Sequence, residues 1–218
     1  MSGLDETRFC SDIGMLSIDR PIPSSCVHKT AYCDAKCYNV KLYKMYKAMR
    51  TKDVRSEAAW NTNIGTDWRS IFDRKRRDTS RIRLMTRGEA FSNLGDVRRV
   101  RDMALANPER TFWIPTRGWR HALVRAAIES LSGELDNVAI LASLDPSNTE
   151  EEIEGLIAAG WSTMFFGNDS ETPTSKHARP FKCPKTWGDV HGACVKCVNG
   201  CFKPVTKGQR VDVWLSEH

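Results

Sequence analysis

Seven of the eight cysteines fall in two groups, Cys26, Cys33 and Cys37 near the start, and Cys183, Cys194, Cys197 and Cys201 near the end. Three thiolates leave one iron of a 4Fe-4S cluster without a protein ligand and open to a small molecule, whereas four thiolates close a site around a cluster or a zinc ion. The pattern predicts a metalloprotein with one open and one closed site. The first group, Cys26-x6-Cys33-x3-Cys37, holds its thiols within twelve positions, close enough to wrap one compact cluster. Structural zinc normally takes four ligands, and in that reading His28 is the fourth. Cys37 stands just before a predicted helix whose free N–H groups suit anionic sulfur, and the aromatic Tyr38 would shield it. The second group, Cys183-x10-Cys194-x2-Cys197-x3-Cys201, has Pro184 after its first cysteine and Gly192 and Gly200 to permit tight turns around sulfur. A cluster and zinc both accept four cysteines, and His191 is a substitute ligand. Cys10 stands alone and reads as a plain thiol.

The elements that must position these groups alternate. A short strand over residues 14–18, ended by Pro21 and Pro23, delivers the first cysteine loop. An apolar stripe of Val40, Leu42, Tyr43, Tyr46 and Met49 predicts a helix over 39–52, continuing over 54–78 with Trp60, Ile64, Trp68, Ile71 and Phe72 and a break near Gly65. Strands over 81–86, 111–116, 137–144 and 161–166 are then separated by helices over about 97–106 and 119–130, and by one capped by Ser147 or Asn148 with Glu150, Glu151 and Glu152 in its first turn. A last strand is expected over 210–215. Repeated strand-helix units imply a parallel sheet with its chemistry at the carboxyl ends of the strands. The five or six expected strands are too few for a full barrel. The expected fold is α/β, parallel strand-helix repeats forming a partial, open TIM-like barrel over residues 1–180. A cysteine-rich C-terminal module, residues 181–218, would pack on it, joined by the Ser-, Thr- and Pro-rich stretch 169–180.

A 40% hydrophobic and 28% charged composition over 218 residues excludes the disordered classes. The longest apolar stretch, Val138 to Leu144, is far shorter than the roughly 20 residues that span a bilayer, and residues 1–11 carry no signal-peptide core. The expectation is a cytoplasmic protein with no membrane partner, and a reducing compartment favours metal ligation over disulfides. A net charge of +6, with local basic runs at Arg74 to Arg77 and at Arg98, Arg99 and Arg101, leaves nucleic acid open as a partner, although such runs are also ordinary solvated helix faces. The seven tryptophans read as core packing before base-stacking platforms.

A three-cysteine loop after the first strand of a strand-helix barrel, with an aromatic after the last cysteine, resembles the radical S-adenosylmethionine superfamily. A closer likeness is to the bacteriophage gene-product-88 family. That likeness rests on Cys26, Cys33, Cys37 and Tyr38, the stretches Arg83 to Ser92, Phe112 to Arg117 and Asn137 to Asp145, Cys183 with Pro184, and the closing Cys194, Cys197 and Cys201. The resemblance implies one or two 4Fe-4S clusters, an open iron that chelates S-adenosylmethionine, electron transfer that yields a 5′-deoxyadenosyl radical, and, for a phage-encoded chain, the host cytoplasm. The superfamily spaces its cysteines by three and two residues, where this chain has six and three. Gly88 and Glu89 look like the superfamily's glycine-rich acidic motif, which holds the cofactor's amino group. An ordinary strand-end turn explains the same dipeptide. Thr116 with Arg117, Ser143 with Asp145, and Asn168 with Asp169 end expected strands, where a barrel presents working side chains. The cofactor-binding candidates are therefore Gly88, Glu89, Thr116, Ser143 and Asp145. His177 and His121 read as surface or core residues, and His218 either as the end of a strand that points into a barrel mouth or as a frayed terminus. By analogy with radical enzymes the tail holds a second cluster, with zinc as the alternative. The radical-enzyme reading has a nucleotide, a nucleic acid or a peptide as substrate. Two other readings stay open: a non-catalytic iron-sulfur protein for electron transfer, sensing or binding to a host protein, and a zinc-stabilised nucleic-acid-binding protein.

Overall fold

Long apolar strands followed by amphipathic helices have one economical arrangement, a parallel sheet with short right-handed crossovers, and the chain adopts it. The structure, a computed structural model, describes residues 8–10, 15–62, 68–73, 79–171, 180–188, 194, 197, 200–202 and 210–216. In chain order the elements are β1 (Arg8–Cys10), β2 (Met15–Ile18), α1 (Ala31–Lys36), α2 (Tyr38–Met45), α3 (Lys47–Thr62), β3 (Arg81–Leu84), α4 (Leu94–Leu105), β4 (Thr111–Thr116), α5 (Ala122–Glu134), β5 (Val138–Leu144), α6 (Glu150–Ala158), β6 (Ser162–Phe166), β7 (Phe181–Lys182), α7 (Pro184–Trp187) and β8 (Asp212–Leu215). They form one sheet ordered β1-β2-β3-β4-β5-β6-β8-β7. Seven strands are parallel, β1 runs antiparallel on β2, and among the described residues the sheet does not close. Eight strands replace the expected five or six, because β1 and β7 are too short to carry a periodic signal.

Burial separates the sheet's two faces. Ile82 and Leu84 of β3, Phe112 and Ile114 of β4, and Val138, Ile140 and Ala142 of β5 meet Val100 and Met103 of α4, Ile128 of α5 and Leu156 of α6 in the main core. On the opposite face Met15, Trp113, Leu141, Met164 and Val213 pack with Phe202, Cys183, Cys194 and Cys201. Described residues after 180 thus pack on this second face, and they add β7 and β8 to the sheet. β5 is covered from both sides and is buried at every position, as its continuous apolar run requires.

The first helical region differs from expectation. Tyr46 takes an extended backbone and ends α2, so the apolar stripe over 39–52 is split between two helices. α3 buries the expected Trp60 together with Asp53 and Ser56, two polar residues that apolar periodicity does not find. The arginines that meet Asp53 and Glu57 lie just beyond the strand ends. Arg87 donates from Nε and Nη2 to the Asp53 carboxylate, each at 2.7 Å, and meets Asp19 at 2.9 Å. Arg20 pairs with Glu57 and with Asp96 at 3.0 Å, and Trp60 Nε1 donates to Asp96 at 2.7 Å. Arg20 after β2 and Arg87 after β3 are therefore locked to one helix face by charge. The cap of α6 is Thr149, in a capping box with Glu152. Ser147 and Asn148, the expected caps, are instead bonded to Asp145.

Arg99 pairs with Asp96, and Arg101 with Glu134, so this basic cluster is a helix surface bound to carboxylates. The Arg74 to Arg77 run, Ile64, Gly65, His177, His191, Gly192 and His218 lie outside the described residues, as does most of the 169–180 stretch and the side chain of Cys10. Among the described residues no helix is long and apolar enough to cross a membrane.

Removing one partner of a buried ion pair leaves an uncompensated charge. Asp53→Ala should destabilise the protein by about 3 kcal/mol in urea denaturation. A loss no larger than that of an exposed alanine substitution such as Glu150→Ala would contradict the anchoring role of α3.

Candidate functional site

β2 ends at Ile18 and its continuation carries the chain across the carboxyl ends of the strands into the first cysteine group. Cys26 lies in the turn, Cys33 on α1, and Cys37 between α1 and α2 as the N-cap of α2. The expected continuous loop is therefore interrupted by a short helix. Thr30 caps that helix, its Oγ1 accepting from the N–H of Cys33 at 2.9 Å. The same hydroxyl donates to Oδ2 of Asp145, which is fully buried just after β5. Asp145 also takes Arg117 Nη2 at 2.9 Å and the N–H of Ser147 at 3.0 Å. Burial works to raise the Asp145 pKa, but Arg117, Ser147 and Thr30 outweigh it and hold the carboxyl below its usual range. One carboxylate thus sets the cysteine-bearing helix and the guanidinium beside it.

Glu89 is a second buried hub. Its carboxylate accepts from the N–H of Phe91 at 3.0 Å, the Thr116 hydroxyl at 2.5 Å and the N–H of Arg117 at 2.9 Å. Gly88 before it has φ +83, and a Cβ there would stand 2.5 Å from Ser25 Oγ and 2.7 Å from the Arg20 carbonyl, so only glycine fits this approach of the turn to the 20–25 segment. Ser143 gives its carbonyl to Arg117 and to Trp119 Nε1.

These parts surround one cavity of about 620 Å3 on the sheet face opposite the main core. Cys26, Cys33 and Cys37 line it, and so do Cys183 and Cys194, so the two cysteine groups, distant in sequence, share one chamber. Gly88, Glu89, Thr116, Arg117 and Ser143 line it as well. Asp145 sits behind them and acts through Thr30 and Arg117. Asn168 and Asp169 do not line it; Asn168 closes a turn with Glu171, and Asp169 pairs with Lys182 at the surface. His28 is also absent from the lining and packs against His121, with ring centroids 5.8 Å apart.

None of the seven described thiols is in a disulfide. Burial pushes Cys26 up to about 12, helped by Glu89 and Cys33, and Cys201 up to about 12 with Cys197 and Cys183 contributing. Cys194 is pushed up to about 11 by burial, partly offset by Arg83. Burial also raises Cys33, against the pull of Arg117. Such thiols stay protonated at neutral pH until a cation displaces the proton. Among the described residues no three His, Cys, Asp or Glu side chains stand in a ligating arrangement. The donors nonetheless fit an iron-sulfur cluster in type and number: soft, half-buried thiols, three from one segment, beside an open cavity. Ligation requires their side chains to turn toward a common point.

Sequence reasoning did not find the roles of Thr30, Arg20 or Arg87. A visible signal existed for two of them, since each arginine follows a strand and α3 carries Asp53, Glu57 and Trp60 at helical spacing.

The sequence matches the family described as Gene product 88 over residues 11–203. It is also 29% identical to the Gene 88 protein of Mycobacterium phage L5, an alignment that takes in 81% of this chain and 79% of that protein. No solved structure matches the chain.

Thr30→Val removes both the helix cap and a donor to Asp145, and should cost about 1–2 kcal/mol in chemical denaturation. Asp145→Ala should cost more, about 3 kcal/mol, because it strands Arg117. Equal losses from the two would show that the Asp145 and Arg117 pair does not anchor the site.

Proposed function

The chain belongs to the Gene product 88 family, and from that premise we propose that it is an iron-sulfur enzyme of radical S-adenosylmethionine type. Its sheet is then a partial TIM-like barrel, and residues from 181 onward form a cysteine-rich module on its inner face. Cys26, Cys33 and Cys37 would hold a 4Fe-4S cluster, and Cys183, Cys194, Cys197 and Cys201 a second cluster or a zinc ion. When bound, a cluster of the first kind supplies one electron for cleavage of S-adenosylmethionine. The observation that carries this reading is the single cavity lined by Cys26, Cys33, Cys37, Cys183 and Cys194 at the carboxyl ends of parallel strands.

The residues around that cavity have separable tasks. Arg117, held by Asp145, offers positive charge beside Cys33 and would stabilise anionic sulfur there. Gly88 lets the backbone come close to the chamber, and Thr116 and Ser143 present polar groups to a small-molecule cofactor. Glu89 orients Arg117 through its N–H, and its side chain keeps acceptor capacity at Oε2 for an ammonium.

A second reading, a non-catalytic iron-sulfur protein that senses, transfers electrons or binds a host protein, is favoured by that same Glu89. Three donors from the chain itself already occupy its carboxylate. In either case the setting is the cytoplasm of an infected host.

Protein purified without oxygen should be brown, with iron and acid-labile sulfide in matching amounts. A colourless protein holding stoichiometric zinc would overturn the iron-sulfur reading. Reduced, loaded protein should convert S-adenosylmethionine to 5′-deoxyadenosine, and Cys33→Ala should abolish that product. Loaded protein that neither binds the cofactor in titration nor yields the product belongs to the second reading.

A further inference from the structure

Arg83 and Trp113 face each other across the β3 and β4 ladder, and both line the cavity. The guanidinium lies over the indole, 4.5 Å from its centroid, which fixes the two side chains relative to each other. Arg83 Nε and Trp113 Nε1 are both buried, and neither has a hydrogen-bond partner among the described residues. Trp113 is only 4% exposed, and Arg83 is half-buried. Both atoms are donors and nothing else, and a buried donor left unpaired is unfavourable.

The neighbouring cations are already matched. Arg87 meets Asp19 and Asp53, Arg117 meets Asp145, and Lys29 meets Asp34. Arg83 has no salt bridge among the described residues. Its charge acts on both Tyr38 and Cys194, which places it between the two cysteine groups. Arg81, two residues earlier on the same strand, already serves the tail by donating to the carbonyls of Cys194 and Cys197 at 3.3 and 3.1 Å.

We propose that Arg83 and Trp113 form a subsite for the oxyanion, phosphate or carboxylate, of a small molecule that occupies the cavity. A planar guanidinium edge suits two-point contact with such a group, and the indole N–H supplies a further donor from a fixed position. Met85, Met164 and Phe166 line the chamber beside the pair and receive the less polar part of the molecule. The subsite is built by the sheet and does not rest on which metal the cysteines hold.

The test is isothermal titration of the full chain, purified without oxygen, with inorganic phosphate and separately with acetate, the two anions distinguishing the two sources of the oxyanion. Saturable binding of at least one is expected, weakened about tenfold or more in Arg83→Met and measurably in Trp113→Phe, which keeps the ring and loses only the N–H. Circular dichroism of both variants reports folding. Binding of neither anion by the wild type, or wild-type affinity in a folded Trp113→Phe and Arg83→Met, overturns the subsite. So does loss of bound metal in Arg83→Met with anion binding unchanged, which would assign the donors to sulfur of the tail. Iron is measured in the same samples, so that an absent cluster, which sinks the radical-enzyme reading, is told apart from an absent anion site.

Discussion

Two guanidinium groups, Arg20 and Arg87, are buried just past the ends of β2 and β3, and their charge has to be met by carboxylates brought from elsewhere. Asp53, Glu57 and Asp96 answer that demand, and because the first two stand on α3 and Trp60 of that helix bonds Asp96, they fix α3 over the strand ends. A helix of 16 residues that buries Asp53, Ser56 and Trp60 has little apolar surface to hold it, so its placement depends on ion pairs. Buried pairs are modest contributors to net stability because desolvation offsets much of the attraction. Their geometric demand is strict, however. Here it sets the height at which the first cysteine segment, tethered between β2 and α3, crosses the sheet.

From that crossing the site is assembled by two carboxylates that do not themselves resemble ligands. Asp145 reaches Cys33 through Thr30 and Arg117, and Glu89 reaches Arg117 through its backbone. The helix that carries Cys33, the turn after β3, and the ends of β4 and β5 are thereby one hydrogen-bonded unit. A disturbance at any of these strand ends is transmitted to the thiols through short, buried contacts.

The middle of the sheet was readable because parallel strands covered on both faces are near-continuous apolar runs. β4 has the bounds its sequence predicts, and β3, β5 and β6 differ by one or two residues. Apolar periodicity was the wrong guide where polar burial decides, as on α3 and at the break at Tyr46. The cap of α6 moved to Thr149 because Asp145 claims Ser147 and Asn148. At the site the cysteines were legible from type and spacing alone. Arg83 and Trp113 were not, since a strand arginine and a core tryptophan look ordinary until register sets them side by side.

β8 follows β7 in the chain yet lies between β7 and β6. A ribosome therefore releases β7, with Cys183 directly after it, before the β8 edge that this strand joins. Until β8 emerges, the sheet ends at β6, and the hydrogen bond from the N–H of Cys183 to Trp214 has no acceptor. Strand insertion of this kind makes the order of synthesis a timer. The cysteines of the first group can settle on the sheet while Cys183 still waits for Trp214, so the chamber between them needs β8 to close.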